Sequence, residues 1–282
     1  MLNRKHIRRQ FERAANSFDE FDFVHAATRD GLLTRLEPLL VDAATVVDLG
    51  AGTGAANRAL EKCFKKANVI SVDIAHGMLK KAREKKSWLS RIAFAQASAD
   101  ALPFQSGGVD VIFSNLMLPW VDNPAPVFAE VARVLRKGGV FAFATLGPDS
   151  LQDLGRAWAA IDDDAHVNRF LDMHDLGDTL INAGFQDPVL DVDRLSVSYK
   201  SSERLFADLT AVGARNALRG RARALTGKKR FAAMVALLEG DAIEGKISLE
   251  LELVFGHCWG AGPKVDPSNY RIDASHIPVR GK

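Results

Sequence analysis

The chain has 282 residues, an average share of apolar and charged side chains, and a formal net charge of +2. This suits one large domain or a domain with an elaboration, and it gives no global attraction for nucleic acid. No apolar run is long enough to cross a bilayer, and the basic N-terminus lacks the apolar segment of a signal peptide. Cys63 and Cys258 have no metal-ligand spacing. We therefore expect a cytoplasmic protein in a reducing compartment, with no membrane or nucleic-acid partner.

Two helices are predicted before the first strand. Apolar residues recur at helical spacing between 3 and 18, where the other positions are strongly basic, and a second helical stretch runs from 24 to 40. We interpret these helices as a lid or outer layer over a ligand. A packing helix with a solvated basic face is an equal alternative.

A short apolar run followed by three glycines at every second position dominates the sequence. Thr45–Leu49 is apolar and β-branched, which predicts a strand buried on both faces of a parallel sheet. Gly50, Gly52 and Gly54 let the chain turn sharply and let its backbone approach a ligand closely. A helix predicted from 55 to 64 points its N-terminal amides into the same space. The segment therefore predicts a nucleotide-type pocket at the end of a strand.

Asp48, near the carboxyl end of this run, helps to distinguish between two kinds of glycine loop. A dinucleotide site has the spacing G-x-G-x-x-G, whereas this chain has G-x-G-x-G, and the glycine-lysine run of a P-loop is absent. A carboxylate here would repel a pyrophosphate, but it suits a ligand that carries an ammonium group.

Strands and helices alternate through to Leu146, which predicts an α/β fold with a doubly wound, mostly parallel sheet. Further strands are predicted at 68–73, 109–114 and 140–146, and helices at 77–86 and 126–136. In such a sheet ligands bind beyond the carboxyl ends of the strands. Asp48, Asp73, the segment after Gln96, and Asn115 all fall at those ends, and Asp73 is placed to accept both hydroxyls of a ribose.

The second half of the chain has a different pattern. Helices are predicted at 150–161, 172–183 and 202–213, and strands at 189–199 and 247–255. The last strand alternates apolar with mostly polar residues, so we expect a closing pair of strands at the sheet edge. We divide the chain into an N-terminal helical lid (1–40), a Rossmann-like core (41–147), a helical and strand elaboration (148–262) and a loosely ordered tail (263–282).

The segment Val46–Gly54 resembles the first motif of the class I S-adenosylmethionine-dependent methyltransferases. The resemblance implies a seven-stranded sheet whose last strand is antiparallel, and S-adenosylmethionine as the cofactor. Carried over by position, Gly50, Gly52 and Gly54 would line the methionine moiety of the cofactor. Asp48 would help to hold its amino group.

The same resemblance implies the remaining cofactor contacts: Asp73, Ile74, Met78, Ser98, Ala99, Asp100 and Asn115. Asp73 would bind the ribose hydroxyls, with Ile74 and Met78 near the adenine. Ser98 stands where the family usually has Asp, so either Ser98 or Asp100 would contact the adenine amino group. Asn115 follows the fourth strand, where the family's chain passes the reactive methyl group.

A narrower resemblance covers most of the chain except the tail. Several segments recur in the malonyl-[acyl-carrier protein] O-methyltransferases of biotin synthesis: Arg13–Ala15, Ser114–Leu116 with Trp120, Thr145–Leu146, Ser150–Leu151, His166–Leu171 and Val212–Asn216. The segments at 166–171 and 212–216 are far more discriminating than the glycine loop, which many enzymes share. Phe18 is a departure, because the family often has Tyr there, and a hydroxyl contact to the substrate is lost.

This narrower resemblance implies methyl transfer to the free carboxylate of a malonyl thioester. The carboxylate is ionised at neutral pH, so no residue is assigned as a general base. Positioning and exclusion of water then carry the catalysis. Arg169 is predicted to bind the carboxylate, because a guanidinium offers paired donors; a structural salt bridge is the equal alternative. Phe18, Asn115 and Trp120 are predicted beside the substrate.

The partner implied by this family is an acidic acyl carrier protein that bears the malonyl group. Seven basic residues and no acidic one lie between 215 and 230: Arg215, Arg219, Arg221, Arg223, Lys228, Lys229 and Arg230. We predict that this basic segment is a docking surface that acts mainly on the encounter rate. Without the resemblance, a solvated loop would be the simpler interpretation.

Other functions stay open at this point. The related mitochondrial complex I assembly family has a similar core and is associated with arginine hydroxylation, and the core alone also fits methyl transfer to a quinone or another small molecule. Coenzyme A in place of the carrier protein is equally compatible with the sequence. No metal site is predicted, because the histidines are scattered and Asp162–Asp164 with His166 lacks a second ligand cluster.

Overall fold

In the computed structural model the described residues are 1–39, 41–219, 227–242 and 244–262. The α-helices within these ranges are α1 Arg4–Ala14, α2 Phe23–Leu36, α3 Asn57–Cys63, α4 His76–Glu84, α5 Ala125–Val134, α6 Gln152–Ala159, α7 Met173–Ala183, α8 Ser202–Ala211 and α9 Lys228–Gly240. The strands are β1 Thr45–Leu49, β2 Asn68–Asp73, β3 Ala93–Gln96, β4 Val109–Asn115, β5 Leu135–Leu146, β6 Phe185–Tyr199 and β7 Ile247–Gly260. The predicted tail, together with Arg221 and Arg223 of the basic segment, lies outside the described residues.

All seven strands belong to one sheet of order β3-β2-β1-β4-β5-β7-β6. β7 is antiparallel to both β5 and β6, while β1 to β5 pair with one another in parallel. The predicted α/β fold, with a mostly parallel seven-stranded sheet closed by an antiparallel strand, is confirmed. The four-part division of the chain stays a prediction, and the strands of the C-terminal elaboration complete the same sheet as the core.

Several element ends differ from the prediction, and one helix was not predicted. The helix predicted to reach Arg136 ends at Val134, and β5 begins at once, because Leu135 already pairs with Val109 across a register shift. Gly138, expected to stop the helix, lies inside the strand with a φ of 69°. The helix that was not predicted is α9. Its first turn is basic, and the buried residues that would indicate a packed helix come only after that turn.

The sheet separates two apolar layers. On one face α5 and α7 pack against the sheet around Phe128 and Leu180, and on the other α2 and α3 pack around Leu32 and Leu60. Most core residues of β1 and β4 are buried on both faces, as the continuous apolar runs predicted. A third cluster joins α6, α8 and α9 to the far ends of β6 and β7. These clusters cover much of the sheet, while several side chains of β6 stay exposed.

A close approach between β5 and β7 limits the size of one residue. Gly256 pairs with Phe143 across these strands, and a Cβ added at Gly256 would lie 2.4 Å from the ring. The ring has no free direction to move, because it stacks on Phe141 at 5.0 Å and contacts Phe128 at 6.1 Å.

Gly256→Ala is therefore expected to lower the free energy of unfolding by about 2 kcal/mol through overpacking. Gly155→Ala is the matched control, since a Cβ there meets no atom within 4 Å and alanine favours a helix. Urea denaturation measures both variants. An unchanged midpoint for Gly256→Ala would contradict the close packing of these strands.

Candidate functional site

The carboxyl ends of β1, β2 and β4 form the floor of a cleft of about 380 Å³. The loop after β1 is held against β2, since the amides of Gly50 and Ala51 both donate to the carbonyl of Val72, at 2.8 and 3.0 Å. Ser114 links β4 to the same point by donating to the carbonyl of Leu49 at 2.9 Å. We call this space the cofactor cleft. Gly50 and Gly52 lie on its wall, whereas Gly54 does not.

Gly50 shows why the loop requires glycine. Its φ is +76°, and a Cβ would lie 2.6 Å from the Cβ of Met117. Any L-residue would therefore be strained in the backbone and would collide with the loop after β4.

Asp73 lies on the cleft wall at the end of β2, and both of its oxygens are held by backbone amides. Oδ2 accepts from Gly52 at 2.9 Å, and Oδ1 accepts from Ala75 at 2.7 Å. Burial raises the pKa of Asp73 to about 6, although these two bonds oppose the shift. Each oxygen keeps a lone pair for a ligand hydroxyl.

Asp48 lies beneath the cleft rather than on its wall, and it is 2% exposed. Its Oδ2 is buried and has no hydrogen-bond partner within the described chain. Burial, with repulsion from Asp73 added, raises the pKa of Asp48 to about 7. An unpaired buried carboxylate is costly, so this site favours a cation beside it.

The far end of the cleft contains the remaining predicted cofactor residues, which are Ile74, Met78, Ser98, Ala99 and Asp100. Ser98 donates to Asp100 at 2.5 Å, and Arg4 of the first helix pairs with the same carboxylate. Burial opposes these bonds, but their combined effect lowers the pKa of Asp100. Ser98 and Asp100 thus act as one polar unit at this end.

Helix α1 covers the cleft and is fixed to the core at both ends. Near its start, Arg4 pairs with Asp100, and the amide of Asn3 donates to the carbonyl of Ala217 at 2.8 Å. Near its end, Glu12 accepts from the first amides of α4, at 2.7 Å from His76 and 2.6 Å from Gly77. Arg4, Ile7 and Phe11 of α1 lie on the cleft wall, and a role of this helix as a lid stays a prediction.

A second cavity of about 160 Å³ lies between the sheet, α2, α8 and the segment before α7. Its walls are mainly apolar, and the polar side chains on them are His25, Trp120, His166, Asn168, Tyr199, Asp208, Arg215 and Asn216. Asp208 pairs with Arg204 at 3.1 Å. No ion pair of Arg215 is found among the described residues. We call this space the apolar cavity.

The cofactor cleft and the apolar cavity share three wall residues, His25, Leu116 and Trp120, which we call the neck. Asn115 lies beside the neck and donates from Nδ2 to the backbone carbonyl of His25 at 2.9 Å. Leu116 has a φ of 54°, a conformation that costs a non-glycine residue free energy and is concentrated at functional sites. Two ligands bound in the two spaces would meet here.

The predicted substrate residues divide between these spaces. Phe18 is buried on the cleft wall and contacts the His25 ring at 4.8 Å with the two rings tilted by 59°, and Trp120 contacts Phe11 edge-on at 5.2 Å. Arg169 is exposed and lies on the wall of a third cavity, not on the cleft or the apolar cavity.

Sequence reasoning missed His25 and Leu116. The only sequence signal for His25 is a lone histidine near the start of a predicted helix, which does not distinguish a ligand contact from a packing residue. Leu116 belongs to the recurring Ser114–Leu116 segment, but its positive φ could not be predicted, because it depends on how β4 ends against β5, where its amide donates to the carbonyl of Ala144 at 2.9 Å.

The described residues of the basic segment do not form one continuous surface. Arg215 lies on the apolar cavity, while Arg219 lies on the cofactor cleft and donates from Nε to the carbonyl of Leu2 at 3.1 Å. Lys228 and Lys229 are exposed at the start of α9. Arg230, which follows them, pairs with Asp162 at 3.6 Å.

Asp162, Asp164 and His166 bring three ligand atoms within 4.8 Å of one another. Asp162 already accepts a hydrogen bond from His166 at 2.7 Å and pairs with Arg230, and the His166 ring stacks on Trp158 at 3.8 Å. These contacts make the group an ion-pair network that links α9 to the wall of the apolar cavity. None of the helices in the described ranges is long and apolar enough to cross a membrane.

Solved structures with this fold include the YcgJ protein of Bacillus subtilis, which has a TM-score of 0.59 at 17% identity and covers 82% of this chain and 98% of that chain. A Bacillus halodurans protein gives a TM-score of 0.60 at 16% identity, over 82% and 97% of the two chains. At such identities the likeness shows the fold alone.

Sequence comparison goes further. A family model described as a methyltransferase domain matches residues 47–143. A malonyl-[acyl-carrier protein] O-methyltransferase of Halorhodospira halophila is 40% identical over 285 residues, covering 99% of this chain and 97% of that protein. The protein of the same name from Gallionella capsiferriformans is 36% identical over 286 residues, covering 99% of both. The chain therefore belongs to the malonyl-[acyl-carrier protein] O-methyltransferase family, within the S-adenosylmethionine-dependent methyltransferases.

Proposed function

We propose that this enzyme methylates the free carboxylate of a malonyl group carried by an acyl carrier protein, with S-adenosylmethionine as methyl donor, in the cytoplasm. The observation that carries the proposal is the neck, where a polar cleft suited to the cofactor opens onto an apolar cavity suited to an acyl group. The relatives reported above favour this reaction over arginine hydroxylation and over methylation of a quinone.

The residues of the cofactor cleft fit a cationic nucleoside. Asp73 has free lone pairs for two ribose hydroxyls, and the apolar side chains of Ile74 and Met78 lie nearby for a base. The orphaned oxygen of Asp48 provides negative charge under the glycine loop, where Gly50 and Gly52 leave room for an amino-acid moiety. When bound, the cofactor supplies a methyl group on a positively charged sulfur.

The protein then has to bring a carboxylate to that methyl group and keep water away. With the cofactor bound, one carboxylate oxygen would give an electron pair to the methyl carbon and the pair of the carbon–sulfur bond would stay on sulfur, so no residue of the chain has to move a proton or act as a base. Apolar walls around the neck exclude water. Orientation is therefore the main contribution of the chain.

Arg215 is the cation that the geometry favours for long-range attraction of the acidic acyl group. It lies on the wall of the apolar cavity, on the Val212–Asn216 segment that packs over Phe18 through Val212 and Ala214. Arg169, with its side chain exposed at the third cavity, stays a prediction for carboxylate binding.

Docking of the carrier protein is proposed at the start of α9. Lys228 and Lys229 are exposed there, and Arg230 is linked through Asp162 to His166 on the cavity wall. An acidic carrier held at this point would have its prosthetic group beside the cavity that receives the acyl group. Charge pairing of this kind mainly raises the rate of encounter.

The reaction itself is tested with purified protein, methyl-labelled S-adenosylmethionine and malonyl-carrier protein. We expect label in a base-labile ester on the carrier protein and none when acetyl-carrier protein replaces the malonyl form. Malonyl-coenzyme A in the same assay decides between the two thiols. The absence of turnover with every acidic thioester would reject the proposal.

Asp48 and Asp73 predict a pH dependence of cofactor binding. Their pKa values in the free protein, about 7 and about 6, lie above those of an unfolded chain, so both retain protons that a cationic ligand would displace. The affinity for S-adenosylmethionine should therefore rise between pH 5 and pH 8, with protons released on binding. Calorimetry in two buffers of different ionisation enthalpy measures this release, and equal heats in both buffers at about pH 6 would contradict it.

Asp48→Asn separates stability from binding. Because the folded-state pKa of Asp48 is raised, its contribution to stability is largest below about pH 4 and is lost as the pH rises to about 7. At pH 8 the free energy of unfolding of the variant should be about 1 to 3 kcal/mol higher than that of the parent. The variant should nevertheless bind the cofactor about 10- to 100-fold more weakly. Asp178→Asn, an exposed carboxylate on α7, is the control and should change neither quantity. A variant that binds the cofactor normally would remove Asp48 from the cofactor site.

Lys228→Glu with Lys229→Glu tests the docking surface. We expect kcat/KM for malonyl-carrier protein to fall about 10-fold at low salt, with a smaller loss at high salt because screening weakens the attraction. The kcat/KM for a malonyl thioester of a small thiol should be unchanged. The control is Lys65→Glu with Lys66→Glu, which places the same charge change before β2, at the opposite edge of the sheet. Equal losses with both substrates, or in both variants, would argue against docking at α9.

A further inference from the structure

Two buried polar atoms beside the neck have no partner. His25 Nδ1 and Asn115 Oδ1 are both shielded from solvent, and neither makes a hydrogen bond within the described chain. Leaving such atoms unpaired is unfavourable, and native proteins seldom do so without a ligand, ion or water to complete the bond. Both residues belong to the wall where the cofactor cleft adjoins the apolar cavity. The two atoms therefore point to a bound molecule at the neck.

The protein holds the His25 ring firmly in this place. Asn115 donates to the backbone carbonyl of His25, which ties the first turn of α2 to the end of β4. Phe18 contacts the ring at 4.8 Å between centroids, with the two rings tilted by 59°, and Leu116 lies on the wall of the same neck. A ring packed in this way, on a helix whose first turn is tied to β4, loses little further freedom when a ligand binds.

The charge of the ring is also set by its surroundings. Burial lowers the pKa of His25 to about 4, and the positive charge of Arg29, one turn along α2, acts in the same direction. Arg29 itself is engaged by Asp22 at 3.3 Å. At neutral pH the imidazole is therefore uncharged, with one N–H donor and one acceptor nitrogen.

We infer that His25 donates its ring N–H to the carboxylate of the methyl acceptor and thereby fixes which oxygen faces the methyl group. The inference rests on the proposed function and names a substrate-binding residue for it. A carboxylate offers two equivalent oxygens; one accepts the hydrogen bond, and the other is left with its lone pairs toward the cofactor cleft. His25 neither gives up nor takes a proton in this role.

This assignment has a consequence for specificity. An acyl group that ends in a free acid satisfies the buried donor at the neck, whereas an acetyl group ends at the carbon that bears the carboxylate in malonyl and leaves the donor unpaired. Discrimination against such an analogue is strong when a buried polar group of the site loses its partner. His25 should therefore contribute to binding of malonyl groups and contribute nothing to binding of acetyl groups.

Three replacements test the assignment. His25→Phe keeps an aromatic ring against Phe18 and removes the donor, while His25→Asn and His25→Gln place an amide N–H near the position of Nδ1 or of Nε2. The control is His257→Phe, the same change at a half-buried histidine of β7 that lies on neither the cleft nor the apolar cavity. Calorimetry with S-adenosylhomocysteine present measures binding of malonyl-carrier protein and of acetyl-carrier protein to each variant.

His25→Phe should weaken binding of malonyl-carrier protein about 10- to 100-fold and change binding of the acetyl form by no more than about 3-fold. His25→Asn or His25→Gln should recover a large part of the loss, and His257→Phe should bind both forms as the parent does. Each variant should still bind S-adenosylhomocysteine alone, which also shows that it is folded.

Equal effects of His25→Phe on the two acyl forms, or undiminished binding of the malonyl form, would overturn the role of His25 while leaving the proposed function intact. Failure of the parent protein to bind or methylate malonyl-carrier protein would overturn the proposed function and the inference together. The methylation assay on the parent protein therefore distinguishes the two failures.

Discussion

The parallel pairing of β1 with β2 on one side and with β4 on the other decides where every polar group of the cofactor cleft lies. Val46 is opposite Val69 in one neighbour and Val111 in the other, so the three strands end at the same edge. Their side chains cannot drift from this register, because β1 and β4 are buried on both faces and a slip of one residue would exchange the two apolar layers. The acids and the amide that follow the strands are thereby brought together without any direct bond between them.

The same edge of the sheet is covered by helix α1 and the segments that hold it, which are distant in sequence; we call this cover the roof. Helix α1 is fixed by Glu12 to the start of α4 and by Arg4 to Asp100, while the strand-like contact of Leu2 with Leu218 joins it to the segment after α8. The aromatic pair Phe11 and Trp120 fills the space between roof and floor. Ile7 and Ala14 of α1 are buried, so the roof is packed against apolar clusters as well as held by these polar contacts.

Strand ends could be predicted from the sequence because their signal is local. Asp73 and Asn115 each come at the end of a continuous apolar run. Because parallel strands end at the same edge of a sheet, both side chains were expected at that edge. His25 and Arg169 could not be placed in this way, since each lies on a segment whose position depends on contacts with remote residues. A histidine at the start of α2 becomes a neck residue only because Asn115 binds its carbonyl. The segment at 166–171 was singled out from the family resemblance, yet nothing local decides that Asn168 lies on the apolar cavity while Arg169 does not.

An apolar site for an anionic substrate has a physical reason in the proposed reaction. A carboxylate and a sulfonium, each charged, become an ester and a thioether that are both neutral, so charge disappears as the transition state forms. Surroundings of low polarity disfavour the separated charges more than the transition state, and they therefore lower the barrier. A cationic side chain in contact with the attacking oxygen would oppose this, because it stabilises the carboxylate before reaction more than afterwards. A neutral donor orients the carboxylate at a much smaller cost in nucleophilicity. Burial of His25 beside Arg29 keeps the ring uncharged and so provides such a donor. Arg215 lies on the wall of the apolar cavity, and the lysines of α9 are exposed on the surface.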